Sequence, residues 1–228
     1  MKKETAVQVQ SEIEVVEDEI RKMEYHLVGL DNEKRKTKLS LEVLKRQRKK
    51  LKSIYKERNG MLNIQKIFEA QDKLDRKVVE VHGLEGKNLT GDVTHALFTE
   101  LGELSNEIGF FKYWKKNKKN DKARQYDEWA DCMHFMASLG NKYGHLEILL
   151  NEDLQAAIAD DINNAQSLSY HRLFEIVYTA DFSVPREYTI SLASIVVIGL
   201  KIGMTFEDME KSYFDKNQVN YDRLASGY

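Results

Sequence analysis

The sequence contains very few of the residues that break helices or cross-link chains. It has one proline, Pro185, one cysteine, Cys132, and twelve glycines among 228 residues. Folds rich in strands and loops use proline and glycine in their many turns, so this composition predicts an all-α fold. A single cysteine excludes a disulfide framework within the chain and is typical of a reducing compartment.

Long apolar runs are also absent. No stretch approaches the roughly 18 apolar residues of a membrane-spanning helix, the longest candidate lying around residues 195–200. The chain begins Met-Lys-Lys-Glu without an apolar segment behind it, so a signal peptide is not expected. The net charge of −2 indicates no general attraction to nucleic acid or to membranes. We therefore expect a cytoplasmic protein with no membrane partner.

The near-neutral net charge conceals two segments of opposite sign. Residues 1–60 carry 16 Lys and Arg against 11 Asp and Glu, a net of +5, whereas residues 61–228 carry 19 against 26, a net of −7. Both tryptophans and all nine phenylalanines follow Gly60. A segment rich in Glu, Lys, Arg and Leu is typical of an exposed or partner-bound helix. We predict a boundary near Asn59 and Gly60, with a helical extension at 1–60 and a globular domain at 61–228.

The first segment follows a heptad pattern that predicts a coiled coil, since ten of thirteen a and d positions are apolar or aromatic. An unbroken pattern favours one long helix paired with a second chain. The charges favour a helical hairpin bent near residues 29–32, because residues 1–31 hold 4 basic and 8 acidic side chains and residues 32–60 hold 12 and 3. The heptad positions are Ile13, Val16, Ile20, Met23, Leu27, Leu30, Lys34, Thr37, Leu41, Leu44, Arg48, Leu51 and Tyr55.

A basic run at residues 45–52 is a second feature of this segment. Such a run can contact nucleic acid or an acidic protein. No aromatic side chains interleave with it to stack on bases, so a solvated helix face is the favoured interpretation and a nucleic-acid partner is not expected. A protein partner for residues 1–60 stays open.

Helical periodicity and short polar links predict a helical bundle after Gly60. Pro185 falls in the break before one predicted helix, and Thr205 with Asp208 resembles a capping box at the start of the last helix. The predicted helices cover about 64–81, 92–114, 124–143, 146–160, 167–178, 187–202 and 206–224.

Two carboxylate pairs with the same spacing are the sharpest chemical feature. Glu100 and Glu103 share a face of one predicted helix, and Glu128 and Asp131 share a face of the next long one. Acidic side chains beside apolar stripes are energetically costly unless a cation neutralises them. Oxygen ligands of this kind select Mg²⁺ or Mn²⁺ and favour chemistry at a phosphate. Either pair alone fits ordinary exposed helix acids, but the two together favour a metal site.

Two further motifs fit phosphate or base recognition. One face of the last predicted helix carries Lys216, Asn220 and Arg223. This row can be interpreted as a phosphate-binding strip or as the solvated end of a helix. Aromatic residues alternate with lysines over residues 109–116. The pattern fits either a surface that stacks on a base or core aromatics at the end of a helix.

Together these motifs resemble the dimeric dUTPases, a branch of the all-α nucleoside triphosphate pyrophosphatases common in bacteriophages and in some bacteria and protists. The resemblance covers about residues 61–228, and residues 1–60 have no counterpart in it. It rests on IFEAQDKLD (67–75), LFTELGELSNEIGFFKYWKK (97–116), DEWADCMHFMASLG (127–140) and SYFDKNQVNYDRLASGY (212–228).

The resemblance implies a homodimer that hydrolyses dUTP, and usually dUDP, to dUMP with a divalent metal, in the host cytoplasm if a phage encodes it. Glu100, Glu103, Glu128 and Asp131 would hold the Mg²⁺ ions, and Glu100 would also orient and deprotonate the attacking water. His134 fits a core histidine as well as a ligand. The substrate-binding side chains would be Lys216, Arg223 and Tyr228 for the phosphates, Asn220 for the nucleoside, Gln71 for the uracil edge, Phe135 for the deoxyribose, and Lys112 and Trp114 to close the pocket.

Two alternatives stay open. Related enzymes with the same carboxylates act on other nucleotides, and Gln71 alone does not exclude dCTP. The chain would otherwise be an interaction protein whose coiled coil binds a regulator and whose enzyme core is secondary, although the intact carboxylate pairs and C-terminal motif argue against that.

Overall fold

The computed structural model describes residues 3–26, 37–38, 40–48, 62–117 and 120–227. Regular secondary structure within these ranges is entirely helical, which confirms the all-α prediction. The chain divides into two compact units, Met1–Met61 and Leu62–Tyr228. No single helix in the described ranges is long and apolar enough to cross a membrane; the bent pair Pro185–Lys201 and Phe206–Ser226, at 104°, passes that test of length and composition together.

The first unit contains α1 (Lys3–His26) and α2 (residues 40–48). Val16 and Ile20 of α1 form one apolar cluster with Leu41 and Leu44 of α2. A continuous helix would place Ile20 about 30 Å from Leu41 at 1.5 Å per residue, so the contact favours the hairpin over the long helix. The predicted bend at residues 29–32 and the heptad positions 27, 30, 34, 51 and 55 lie outside the described residues, and the coiled coil stays a prediction.

The second unit contains both carboxylate pairs and the C-terminal motif. Four of its helices begin at a side chain that accepts a hydrogen bond from the first turn, namely Asn63, Asp121, Ser169 and Thr205. Caps of this kind stabilise a helix by about 1 kcal/mol each. Thr205 and Asp208 form the predicted capping box. The helices are α3 (Ile64–His82), α4 (Thr90–Ile108), α5 (Lys122–Lys142), α6 (Leu146–Leu150), α7 (Glu152–Ala165), α8 (Tyr170–Thr179), α9 (Pro185–Lys201) and α10 (Phe206–Ser226).

Three predicted helix boundaries are wrong. The helix predicted to reach Trp114 ends at Ile108, because Gly109 adopts a left-handed conformation (φ 65°) that terminates α4. Pro185 is the first residue of α9 rather than part of the break before it, since the first helical position needs no N–H donor. The helix predicted over 146–160 is interrupted at Asn151, whose backbone is extended.

Helices α5 and α9 form the centre of the second unit and are buried along most of their length. Two large polar aromatics on them are fully buried and hydrogen-bonded. Trp129 Nε1 donates to the carbonyl of Ile195 at 2.8 Å, and the Tyr188 hydroxyl donates to the carbonyl of Met136 at 2.8 Å. Because α3, α4 and α10 all pack on α5, the motifs of four helices converge along one element.

Candidate metal centre and active site

The packing of α4 on α5 brings three of the four predicted metal ligands together. Carboxylate oxygens of Glu100, Glu128 and Asp131 all lie within 4.8 Å of one another. Glu128 is buried, and Glu100 and Asp131 are half-buried. Glu103 lies beside this carboxylate cluster without joining it, because its side chain is exposed. The three oxygens form a hard, anionic donor set that fits Mg²⁺ or Mn²⁺.

The electrostatics of the cluster favour a cation. Burial raises the pKa of Glu100 to about 7, and the negative charges of Asp131, Glu103 and Glu128 add to that increase. Burial also raises the pKa of Glu128 and of Asp131. Lys216, whose Nζ lies 2.6 Å from Asp131, and Arg124, 3.5 Å from Glu128, offset only part of this charge, since the pKa values of all three carboxyls stay raised. A divalent ion would supply the missing positive charge.

Lys216 of α10 lies at the edge of the cluster. Its Nζ is 2.6 Å from Asp131 Oδ2 and 2.9 Å from Asp127 Oδ2, and its side chain is 9% exposed. Burial alone would lower the pKa of Lys216, but the hydrogen bonds to Asp131 and Asp127 outweigh burial and raise it. A charged ammonium is therefore held next to a predicted metal ligand.

The other residues of the predicted C-terminal strip lie further along α10. Arg223 is exposed, its Nη1 is 3.5 Å from Asn220 Oδ1, and its charge offsets part of the rise that burial gives to the pKa of Asp131. Through this electrostatic interaction Arg223 acts on the carboxylate cluster from further along α10. Tyr228 lies outside the described residues.

Lys112 and Trp114 belong to the link after α4. Lys112 Nζ donates to the carbonyl of Asn106 at 2.7 Å. The Trp114 ring contacts Tyr113 and Phe111 edge-on and is 59% exposed. These contacts do not place either side chain at the carboxylate cluster of the same chain.

Gln71 of α3 is 3% exposed and lies within a buried polar network. Its Nε2 donates to Asp75 Oδ1 at 2.7 Å, and its Oε1 accepts from the Tyr213 hydroxyl at 2.9 Å. His134 Nδ1 lies 2.7 Å from the same Oε1, and Ser138 Oγ donates to Asp75 Oδ2 at 2.6 Å.

His134 is a core histidine. It is buried, its ring stacks on Tyr213 with centroids 4.2 Å apart, and burial lowers its pKa to about 4. Its Nε2 is 3.2 Å from the carbonyl oxygen of Tyr213. The neighbouring Phe135 is half-buried and packs against the apolar core.

A protein-family model described as dUTPase matches residues 63–228. The chain belongs to the dUTPase family. Its second unit is therefore a dUTP diphosphatase domain, and the match includes every helix that contributes to the carboxylate cluster and to the Gln71 network. A search of the curated proteins gives no match to the chain.

Sequence reasoning missed several side chains that contact the candidate site residues. Asp127 directly precedes the predicted ligand Glu128. Its ion pair is with Lys216, 89 positions away, so no local sequence pattern indicates it. Asp75 lies one turn after Gln71, so the i, i+4 spacing could have indicated their hydrogen bond. Ser138 and Tyr213 carry no such signal, because they come from other helices.

Proposed function

We propose that this dUTPase hydrolyses dUTP, and also dUDP, to dUMP with a divalent cation, Mg²⁺ or Mn²⁺. Glu100, Glu128 and Asp131 would hold the cation, with Glu103 completing the site from its exposed edge. The observation that carries the proposal is the convergence of three carboxylates within 4.8 Å whose pKa values burial raises. Such a cation lowers the pKa of a bound water and neutralises charge on phosphate oxygens.

Glu100 is proposed as the base that receives the proton of the attacking water. Its carboxylate belongs to the cluster and is half-buried, so it faces the proposed site. Burial raises its pKa to about 7 without a cation, closer to the working pH than that of an ordinary glutamate. General bases act most effectively when their pKa lies near the operating pH.

Lys216 is proposed to bind the phosphate chain together with Arg223 and Tyr228, while Asn220 contacts the nucleoside. Its ammonium already lies 2.6 Å from Asp131, so a bound cation would compete with it for that carboxylate. Release from Asp131 would leave the ammonium held by Asp127 and available to a phosphate oxygen. Charge-assisted hydrogen bonds of this kind are roughly twice as strong as neutral ones.

The base and sugar contacts are part of the same proposal. Gln71 would contact the uracil edge, and Phe135 would pack on the deoxyribose and disfavour a 2′-hydroxyl. Lys112 and Trp114 would close the pocket of a second subunit, since the exposed ring of Trp114 is free to contact another copy of the chain. The enzyme would then act as a homodimer. Residues 1–60, outside the dUTPase match, would bind a protein partner.

A nucleotide panel tests the proposed substrate. Purified enzyme with Mg²⁺ is expected to release pyrophosphate faster from dUTP than from dCTP, dTTP or UTP, because the pocket would match the uracil edge and the deoxyribose. Phosphate release from dUDP tests the second substrate. Comparable turnover of all four triphosphates would contradict the base assignment, and a preference for dCTP would favour the alternative pyrimidine pyrophosphatase.

A further inference from the structure

The orientation of the Gln71 amide is set by its neighbours in the buried network. An amide presents an oxygen on one side and an NH₂ group on the other, and rotating it by half a turn exchanges them. Asp75 lies 2.7 Å from one side, and His134 and Tyr213 lie 2.7 Å and 2.9 Å from the other. Asp75 and His134 each favour one of the two orientations, whereas the Tyr213 hydroxyl can donate or accept.

Asp75 accepts hydrogen bonds on both carboxylate oxygens. Oδ2 receives the hydroxyl of Ser138 at 2.6 Å, which leaves Oδ1 to face Gln71. Burial raises the pKa of Asp75, while the hydrogen bonds from Ser138 and Gln71 oppose that rise and favour the ionised form. The ionised carboxylate has no hydrogen to donate, so Gln71 must turn its Nε2 toward Asp75. The opposite orientation would place two acceptor oxygens 2.7 Å apart in a buried site.

His134 favours the opposite orientation. Its Nε2 faces the carbonyl oxygen of Tyr213 at 3.2 Å, an acceptor that is best satisfied by an Nε2–H group. A neutral ring with that hydrogen has a bare Nδ1, which would require the NH₂ group of Gln71 as its donor. The preferences of Asp75 and His134 therefore conflict.

Asp75 decides the conflict, because a hydrogen bond to a charged group is roughly twice as strong as one between neutral groups. With Gln71 Nε2 turned to Asp75, the His134 Nδ1 that lies 2.7 Å from Gln71 Oε1 must carry the ring hydrogen and donate it. This leaves Nε2 without a hydrogen for the Tyr213 carbonyl at 3.2 Å, the longer of the two contacts. The Tyr213 hydroxyl is compatible with this choice, since it can donate to Gln71 Oε1 at 2.9 Å, but it does not decide it, because it can also donate to the Ile67 carbonyl at 3.1 Å.

This arrangement leaves one group of Gln71 for a ligand. Oε1 already receives two donors, and one Nε2 hydrogen is taken by Asp75. The second Nε2 hydrogen has no partner among the described residues. Position 4 of uracil carries an acceptor oxygen, whereas position 4 of cytosine carries an amino group that only donates. Facing position 4 of the base, a Gln71 that can only donate a hydrogen bond binds the oxygen of uracil, whereas it meets the amino group of cytosine donor to donor.

We infer that Asp75 is a specificity-determining positioning residue, which locks the Gln71 amide so that its free N–H faces the base and selects the keto group of uracil over the amino group of cytosine. The inference rests on the proposed function in one respect, the contact between Gln71 and the base. The lock itself is a property of the protein without nucleotide.

The test compares Asp75→Asn with the control Asp72→Asn. Asparagine has the shape of aspartate but can donate, so Gln71 can reverse and give its NH₂ group to His134. Asp72 lies on the same helix and is paired with Arg76 at 2.8 Å, so its substitution removes an equal charge from outside the network. We expect Asp75→Asn to lower the ratio of kcat/KM for dUTP to kcat/KM for dCTP at least about tenfold. Asp72→Asn should leave that ratio unchanged.

The tautomer of His134 gives a second readout that needs no substrate. Nitrogen-15 NMR of the wild-type protein should show the hydrogen on Nδ1, and Asp75→Asn should move it to Nε2. An Nε2–H tautomer in the wild-type protein would overturn the inference, whether or not the variant folds. An unchanged ratio and tautomer in folded Asp75→Asn would also overturn it. If wild-type protein fails to hydrolyse dUTP, the proposed function fails, while the tautomer still tests the lock.

Discussion

Replacing Asp131 with asparagine should reduce dUTP turnover by more than about 100-fold while leaving the fold intact. Mutating a residue that only hydrogen-bonds to a metal ligand typically lowers metal affinity or activity about 10- to 100-fold. Asp131 is proposed as a direct ligand, so its loss should cost more. The substitution preserves the side-chain shape and relieves repulsion within the carboxylate cluster, so the helices should remain packed. Steady-state kinetics with Mg²⁺ and circular dichroism provide the two measurements.

Asp127→Asn is the matched control for Asp131→Asn. Asp127 lies one turn earlier on α5, carries the same charge and also binds Lys216, but it is 58% exposed and outside the cluster. We expect this variant to raise KM by less than about tenfold with little change in kcat, because rim charges affect binding more than chemistry. Full activity in Asp131→Asn, or equal inactivation of both variants, would contradict the assignment of the cluster.

Glu100→Gln should inactivate the enzyme and stabilise the metal-free protein. Burial raises the pKa of Glu100 to about 7 in the folded state, above the ordinary value of 4.5 that applies to the unfolded chain. The folded state therefore binds more protons than the unfolded state between these values, and stability falls as pH rises from about 4.5 to about 7. Glutamine carries no ionisable proton, so the variant should not lose stability over this pH range.

Thermal unfolding in EDTA across pH 4 to 8 measures the effect. Glu100 is half-exposed, so solvent screening reduces the gain, and we expect a Tm about 2–4 °C above wild type at pH 8, corresponding to about 1 kcal/mol. The difference should vanish near pH 4. Mg²⁺ should raise the Tm of wild type more than that of the variant. Glu80→Gln, an exposed glutamate on α3, should show no pH-dependent gain; an equal gain there would contradict the role of the cluster.

The carboxylate pairs were the most predictable part of the site, because i, i+3 spacing fixes which side chains share a helix face. The sequence did not show that Glu103 would turn outward while Glu100 joined the cluster, since that depends on the angle at which α4 packs on α5. The aromatic link after Ile108 was predicted as helix, although the apolar stripe of that helix runs only from Val93 to Ile108; the left-handed Gly109 ends α4 there.

The buried polar network was the least predictable part. Gln71 was identified through the family resemblance as a base contact, yet its hydrogen-bonding capacity depends on Asp75, His134 and Tyr213. Two of these residues lie on other helices, 63 and 142 positions away, so no local pattern connects them. Lys216 was predicted as a phosphate ligand, but its ion pair with Asp127 becomes visible only when α10 packs on α5.

Phosphorus-31 NMR of dUTP incubated with the enzyme, in Mg²⁺ or in EDTA, tests the metal centre and the reaction most directly. The account predicts dUMP and pyrophosphate in Mg²⁺ and unchanged dUTP in EDTA, with turnover in Mg²⁺ more than about 100-fold slower in Asp131→Asn than in wild type. Hydrolysis at the same rate in EDTA, or release of the terminal phosphate to give dUDP, would contradict it.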